Sequence, residues 1–442
     1  MKRPGETREA EIIVVGGGWA GLAAAALLAR AGRDVVLLEA ARQLGGRARC
    51  LPFGDLRVDN GQHLMIGAYR HLLELLDILE LREDAIFERQ PLTLLLQSAG
   101  KARLQLRAAP LPQPLHLAAG ALRARGINLL EQARLIRFGH RLARGQVELD
   151  RDISAQAMLL AEKQGGNLMT RLWEPLCLAA LNTPLAEASA RLLLKVLTET
   201  FAGPRGASDL LFPRTDLGTA LPEPASHFIE ARGGRIRLNR RVRAILPGDD
   251  SHEVITAERR YRCRHIVLAV NSTLCRRLLS EHEAFSATVR GLQHLRHNPI
   301  STVYLRYPQP VALPFPLAGV LDGTTQWLFD RRVCGQPGLM AAVISGPGPH
   351  LALDNNNLAD IVAREVGELH PRWPAPEGHL VIREKRATFV AEVDVDRWRP
   401  ASRTAVPGIW LAGDFTGTGL PATLEGAVKS GLDCARAIMA GA

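Results

Sequence analysis

Apolar positions along this chain recur with two periods, and the first complete unit lies in residues 11–39. A continuous apolar run, Ile12–Val15, has the length of a strand buried on both faces. Glycines at 16, 18 and 21 follow, then a helix-forming run over 20–31, then a second apolar strand, Val35–Leu38, ending on Glu39. Further along, Leu72, Leu75, Leu76 and Leu79 predict an amphipathic helix over 68–81. Residues 87–106 alternate as strands, and Pro110, Pro112 and Pro114 then interrupt the chain. A helix is predicted over 115–124 and a long helical region over 129–165. Residues 171–184 form a dense apolar stretch with a few polar groups, fitting either a pocket wall or a core helix with a capped end.

From residue 220 the pattern alternates between helix and strand. A helix over 223–232 stops at Gly233 and Gly234, followed by strands at 235–238, 265–270, 300–307 and 326–329. A helix at 358–369, strands at 379–390 and 408–412, and a terminal helix starting near Ala422 complete the order. Alternation of this kind predicts an α/β fold with a parallel sheet.

Composition narrows the partners. At 442 residues the chain has room for two or three domains. The formal net charge is +10, carried almost wholly by arginine, yet no basic run is interleaved with aromatics, so nucleic acid is not an expected partner. The six cysteines are scattered without a C-x-x-C pair, which predicts neither a metal site nor a disulfide framework. No apolar run approaches the ~20 residues of a membrane span. The first eleven residues lack an apolar signal core, so a cytoplasmic protein is expected, with any membrane contact made from one side. Residues 111–127, with their prolines, apolar face, Arg123 and Arg125, are the candidate for that contact.

Chemistry concentrates at the two ends. Gly16 permits a tight turn, Gly18 lets the backbone approach a pyrophosphate, and Gly21 lets helix and strand pack closely. The following helix N-terminus favours phosphate, and Glu39 stands where an acid accepts hydrogen bonds from a ribose. Gly45 and Gly46 allow another close turn, and Arg47 can reach a phosphate or flavin oxygen. The Asp59, Asn60, Gly61 segment, followed by Gln62 and His63, is accounted for by turn chemistry alone. Near the C-terminus, Gly413 and Asp414 end a strand, and a helix N-terminus at Thr423 and Leu424 is placed to stabilise negative charge on a reduced ring.

These motifs, with Glu425, Gly426, Ala427, Ser430 and Gly431, resemble the FAD-dependent amine oxidase and carotenoid desaturase superfamily. The stretches 59–63, 172–184, 383–389 and 413–425 more narrowly resemble the squalene-associated FAD proteins, the hydroxysqualene dehydroxylases of bacterial hopanoid pathways. The resemblance implies a discontinuous Rossmann-like FAD domain built from residues 1–90, 220–275 and 395–442. It implies an α+β substrate domain from residues 91–219, mostly helical, and 276–394, rich in strands. Val242 would meet the adenine through its backbone, and FAD would be non-covalent, since 413–425 holds no cysteine.

The implied reaction is reductive removal of the hydroxyl of hydroxysqualene to give squalene, with an electron donor the sequence does not name. His63, Glu174 and Lys385 are the candidate catalytic residues. His63 can be protonated near neutral pH, Glu174 lies in an apolar run that would raise its pKa, and some flavin oxidases place a lysine near N5. A structural hydrogen bond, a helix-end group and a surface lysine are the respective alternatives. The expected partners of the dehydroxylase are the inner membrane, touched peripherally, and upstream squalene-pathway enzymes. Competing functions are a desaturase of a linear isoprenoid, an amine oxidase, and a non-catalytic flavin-binding carrier that delivers isoprenoids between membrane enzymes.

Overall fold

The computed structural model describes residues 5–98, 101–112 and 115–441. At its centre is a five-stranded parallel sheet in the order Arg235–Arg237, Val35–Leu38, Ile12–Val15, His265–Leu268 and Ile409–Leu411. Every residue of Ile12–Val15 and Val35–Leu38 is buried, as two covered faces require. Helices Trp19–Arg30, Pro222–Ala231 and Leu424–Met439 share one apolar core on this sheet. The first and last of these approach closely: a Cβ on Gly431 would lie 2.1 Å from the Ala20 carbonyl oxygen. The chain's two ends thus pack together, with the sheet's strands drawn from three separate stretches of sequence.

A second sheet joins Gly5–Glu9, Arg259–Cys263, His252–Thr256 and Val242–Leu246. Its first strand is polar and carries no apolar alternation, so the periodicity of the sequence does not announce it. A third sheet has seven strands, in the order Gly378–Phe389, His297–Arg306, Leu339–Ser345, Trp327–Asp330, Leu317–Val320, Thr93–Ser98 and Lys101–Arg107. Two strands from the segment expected to be mostly helical therefore close the edge of the strand-rich sheet.

Local chemistry explains where elements end. The helical region expected over 129–165 is two helices, Leu129–Ala143 and Ala155–Ala161. Gly145, at φ +64, follows the end of the first, and the Ser154 hydroxyl caps the second by accepting from Ala157 N at 3.2 Å. Within 171–184, a π-helical turn, Met169–Trp173, runs into helix Glu174–Leu181, which ends on Asn182 in the left-handed region at φ +50. The helix predicted over 115–124 spans Leu115–Leu122, while Pro114 lies outside the described residues.

One irregularity sets up the site. Between Asn298 and Ile300 the pairing of His297–Arg306 with Gly378–Phe389 slips, so Asn298 faces Thr388 while Ile300 faces Glu384. Pro299 stands at the slip and has no N–H for the ladder. Residues 385–387 are left over on the partner strand and bulge out of it.

Candidate active site

The glycine turn makes a cradle with its mouth left open. A Cβ on Gly21 would lie 2.0 Å from the Gly16 carbonyl oxygen, and one on Gly16 would lie 2.4 Å from that of Ala269. These two glycines serve packing between helix and strands. Gly18 differs: the nearest atom to a Cβ there would be Gly46 Cα at 3.9 Å, so its missing side chain leaves open space. Gly46, at φ +59, faces it, and Gly45 N donates to Gly17 O at 2.8 Å. Helix Trp19–Arg30 starts here with no side-chain cap and no acidic residue in its first turn. Its free amides are a ready site for a diphosphate.

Glu39 continues the cradle. Its carboxylate accepts from Gly17 N at 2.6 Å and Ala41 N at 2.7 Å, while its carbonyl accepts from Arg240 N at 2.8 Å. That last bond draws the segment leading to Val242 beside Glu39. Val242 itself is buried at the start of its strand.

The distal end is closed by residues from opposite ends of the chain. Arg47 Nη2 lies 2.5 Å from Asp414 Oδ1, and Nη1 donates to Ala387 O, on the bulge, at 2.6 Å. The Asp414 carboxylate outweighs burial and holds the Arg47 guanidinium in its charged form. Together with Ser272, His297 and Arg386 these two residues line a small cavity. His297 Nε2 is 2.9 Å from Ser272 Oγ, and burial, reinforced by the Arg47 charge, pushes this imidazole's pKa down. Gly413, at φ +150, donates its amide to Ser430 Oγ at 2.7 Å. Thr423 caps the terminal helix, its hydroxyl accepting from Gly426 N at 3.1 Å, so Leu424 begins that helix. Glu425 reaches outward and accepts from His71 N, His71 Nδ1 and Leu72 N, supplying the cap that helix Arg70–Ile78 lacks in its own sequence.

Residues 60–63 lie against this assembly. Asn60 Nδ2 donates to Arg47 O at 3.1 Å and to Glu384 Oε2 at 3.3 Å, so turn, loop and bulge meet through one side chain. Turn chemistry does not account for Asp59. It closes strand Leu56–Asp59, is wholly buried, and pairs with the equally buried Arg331 at 2.6 Å. Gln62 accepts from Arg331 and donates to His63 O at 3.2 Å. Gly61 has no contact closer than 3.8 Å at its Cβ position, leaving that side of the loop open.

The three candidate catalytic residues differ in surroundings. His63 Nδ1 lies 2.7 Å from Gly61 O, and burial pulls its pKa below the ordinary value of 6.5, against the pull of Asp59. Gly61 O can only accept, so Nδ1 carries the proton of that bond, and the lowered pKa favours the neutral ring. Glu174 is exposed, yet partial desolvation raises its pKa, so it keeps its proton to higher pH. Lys385 sits exposed on the bulge, between Glu384, which bonds Asn60, and Arg386, which lines the cavity.

Asn182 links the helix of Glu174 to the same place. Its Nδ2 donates to Thr388 Oγ1 at 3.0 Å and Pro299 O at 3.3 Å, and its Oδ1 accepts from Gly346 N at 2.5 Å. Arg331 and the load on Asn182 escape a sequence reading because their partners lie more than a hundred residues away. Two adjacent arginines, Arg331 and Arg332, just past strand Trp327–Asp330 are the local signal the sequence offers.

The geometry fits FAD: an open glycine cradle for the diphosphate, an acid at the ribose end, and an Arg–Asp pair toward the ring. Comparison with known proteins agrees. A profile of the family described as flavin containing amine oxidoreductase matches residues 19–439. The hydroxysqualene dehydroxylase of Rhodopseudomonas palustris is 29% identical over 446 residues, covering 97% of this chain and 98% of its own. The 15-cis-phytoene desaturase of Solanum lycopersicum is more distant, 23% identical over 465 residues, covering 99% and 79%. Among solved structures, cyclohexylamine oxidase from Brevibacterium oxydans superposes with a TM-score of 0.71 at 17% identity, covering 98% and 99%. The chain belongs to the flavin containing amine oxidoreductase family and is an FAD-dependent oxidoreductase.

Proposed function

We propose that this enzyme reductively removes the hydroxyl of hydroxysqualene to give squalene. The observation that carries this reading is convergence. The stretches 59–63, 172–184, 383–389 and 413–425, which resemble hydroxysqualene dehydroxylases, meet at one place through Asn60, Asn182, Arg47 and Asp414. The near full-length likeness to a protein of that name supports it.

When bound and reduced, FAD supplies the hydride. In the overall change a C–O bond breaks, a C–H bond forms, and the oxygen leaves as water after taking a proton. The residues proposed to hold the cofactor are Gly16, Gly18, Gly21 and Glu39, then Gly45, Gly46 and Arg47, then Gly61, Gln62, Val242, Gly413, Asp414, Thr423 and Leu424. Glu174 is the stronger proton donor of the candidates, because its raised pKa keeps it protonated where an ordinary glutamate is ionised. The neutral His63 is better suited to orient the leaving oxygen by hydrogen bonding. Lys385 would place positive charge beside the ring from the bulge. Apolar burial is worth ~0.8 kcal/mol per CH₂, so a C30 chain needs few polar contacts for affinity.

We also assign the approach to a lipid surface. No helix among the described residues is long and apolar enough to cross a membrane. Leu111, Leu115, Leu122, Leu129 and Leu130 are nevertheless exposed, five of the eight exposed large apolar side chains among the described residues. Residues 101–147 carry nine basic side chains against one carboxylate, Glu131, which is buried in a capping box. An apolar face in a basic surround fits an anionic bilayer, the phase that holds an isoprenoid substrate. Arg171 Nη1 donates to Gly126 O at 2.6 Å, tying this face to the turn before helix Glu174–Leu181.

Replacing Glu174 by Gln and His63 by Gln separately tests the chemistry. Glu174→Gln should lower kcat on the order of a hundredfold or more with FAD retained, whereas near-normal turnover removes Glu174 as the acid. Product mass separates the desaturase alternative, which removes two hydrogens where dehydroxylation removes oxygen.

A further inference from the structure

We propose that Arg331 is a positioning residue that fixes the flavin-side loop, residues 60–63, from the seven-stranded sheet. The proposal rests on the reading that this loop borders the flavin. Arg331 follows strand Trp327–Asp330 and is wholly buried. One of its nitrogens, Nη1, lies 2.6 Å from Asp59 Oδ2 and 2.7 Å from Gln62 Oε1. A single guanidinium N–H₂ thus holds both the residue before the loop and the loop's third side chain.

The remaining contacts fix Arg331 itself. Nε donates to Gln336 Oε1 at 2.9 Å, and the guanidinium carbon lies 6.0 Å from the Tyr304 ring centroid. The Tyr304 hydroxyl donates to Asp59 O at 2.9 Å, and the other Asp59 oxygen accepts from Leu217 N at 2.7 Å. Gln62 then passes the constraint on through its bond to His63 O. The route is short: sheet, Arg331, Gln62, backbone of His63.

Stability is a weak reason for this arrangement. Burying two charges costs several kcal/mol per ion, and apolar replacements of such pairs are often neutral or stabilising. Arg331 Nη2 is also buried without a partner among the described residues, a further cost. What the pair supplies is direction. The planar guanidinium, fixed by Nε on Gln336, sets the two Nη1 hydrogens at fixed angles toward Asp59 and Gln62, which an apolar cluster cannot do.

The test is a double-mutant cycle on the FAD-loaded protein, using Arg331→Lys, Gln62→Met and both together. Lysine keeps a charge for Asp59 but lacks the planar group that Gln336 orients through Nε, and Gln62→Met removes the link while leaving the ion pair. The readouts are the visible circular dichroism of the bound flavin and its reduction potential. Both need no substrate, so they remain decisive if the dehydroxylase reading fails. Each single variant should keep FAD and shift both readouts, and the double variant should shift them no further than the larger single effect. With substrate, kcat should fall on the order of tenfold to a hundredfold with KM little changed, as misplacement of a reacting group predicts. Additive shifts would mean that Gln62 acts without Arg331 and would overturn the proposal. So would a Gln62→Met protein whose flavin is indistinguishable from the parent. If Arg331→Lys fails to fold, Arg331→Gln replaces it in the cycle, and a silent Gln62→Met still overturns the route.

Discussion

Arg47 and Asp414 show how much one residue pair can hold. Each supplies what the other lacks, a buried charge with a counter-charge, and between them they join positions 367 residues apart. Asp414→Ala should leave Arg47 without its carboxylate and weaken FAD binding by at least tenfold, measured by fluorescence titration of the apoprotein. The loss should be smaller for Asp414→Asn, which keeps a hydrogen-bond acceptor. Glu174 makes a second prediction at this scale. Its pKa is raised above the ordinary 4.5, so a reaction needing its proton fails as pH climbs through the shifted value. The alkaline limb of the kcat profile should vanish in Glu174→Gln. An unchanged limb would assign it to another group.

At the scale of elements, Asn182 is the joint between helix Glu174–Leu181 and the seven-stranded sheet. It tolerates the left-handed backbone that stops the helix, and its amide satisfies groups on three strand ends. Asn182→Ala loses both and should cost about 2–4 kcal/mol, from left-handed strain plus buried groups left unpaired. Asn182→Gly keeps the backbone and should recover part of that loss. Denaturant unfolding of the FAD-free protein distinguishes them. Legibility in the sequence follows the same line. The cradle from Ile12 to Glu39 was readable because its signals act within about thirty residues: strand length, glycine spacing, helix start. The break after Ala143 and the polar strand Gly5–Glu9 were not, because one depends on capping and the other on pairing with Arg259–Cys263. Asp59 was misread as turn chemistry since its partner, Arg331, comes 272 residues later.

For the whole molecule, histidines partly or wholly withdrawn from water set the acid limit. His63, His116, His252, His265, His297, His350 and His370 are all pushed below 6.5, with burial the leading cause in each. Unfolded, each takes a proton near pH 6.5, while folded it does so only at lower pH. Their contribution to stability is therefore complete above 6.5 and is lost as pH falls through the folded values. The melting temperature should decline from pH 7 to pH 5. Membrane approach belongs to this scale too. Charge reversal at Arg123 and Arg125 should release the protein from anionic liposomes, and unchanged binding would remove residues 111–127 as the docking face.

The central claim concerns the direction of electron flow, and one anaerobic experiment addresses it. Purified protein with FAD, chemically reduced, is mixed with hydroxysqualene while flavin absorbance and product mass are followed. The account predicts reoxidation of the flavin with one squalene formed per flavin. A flavin that stays reduced, while an oxidised sample bleaches with a saturated isoprenoid, would contradict it and make the enzyme a desaturase.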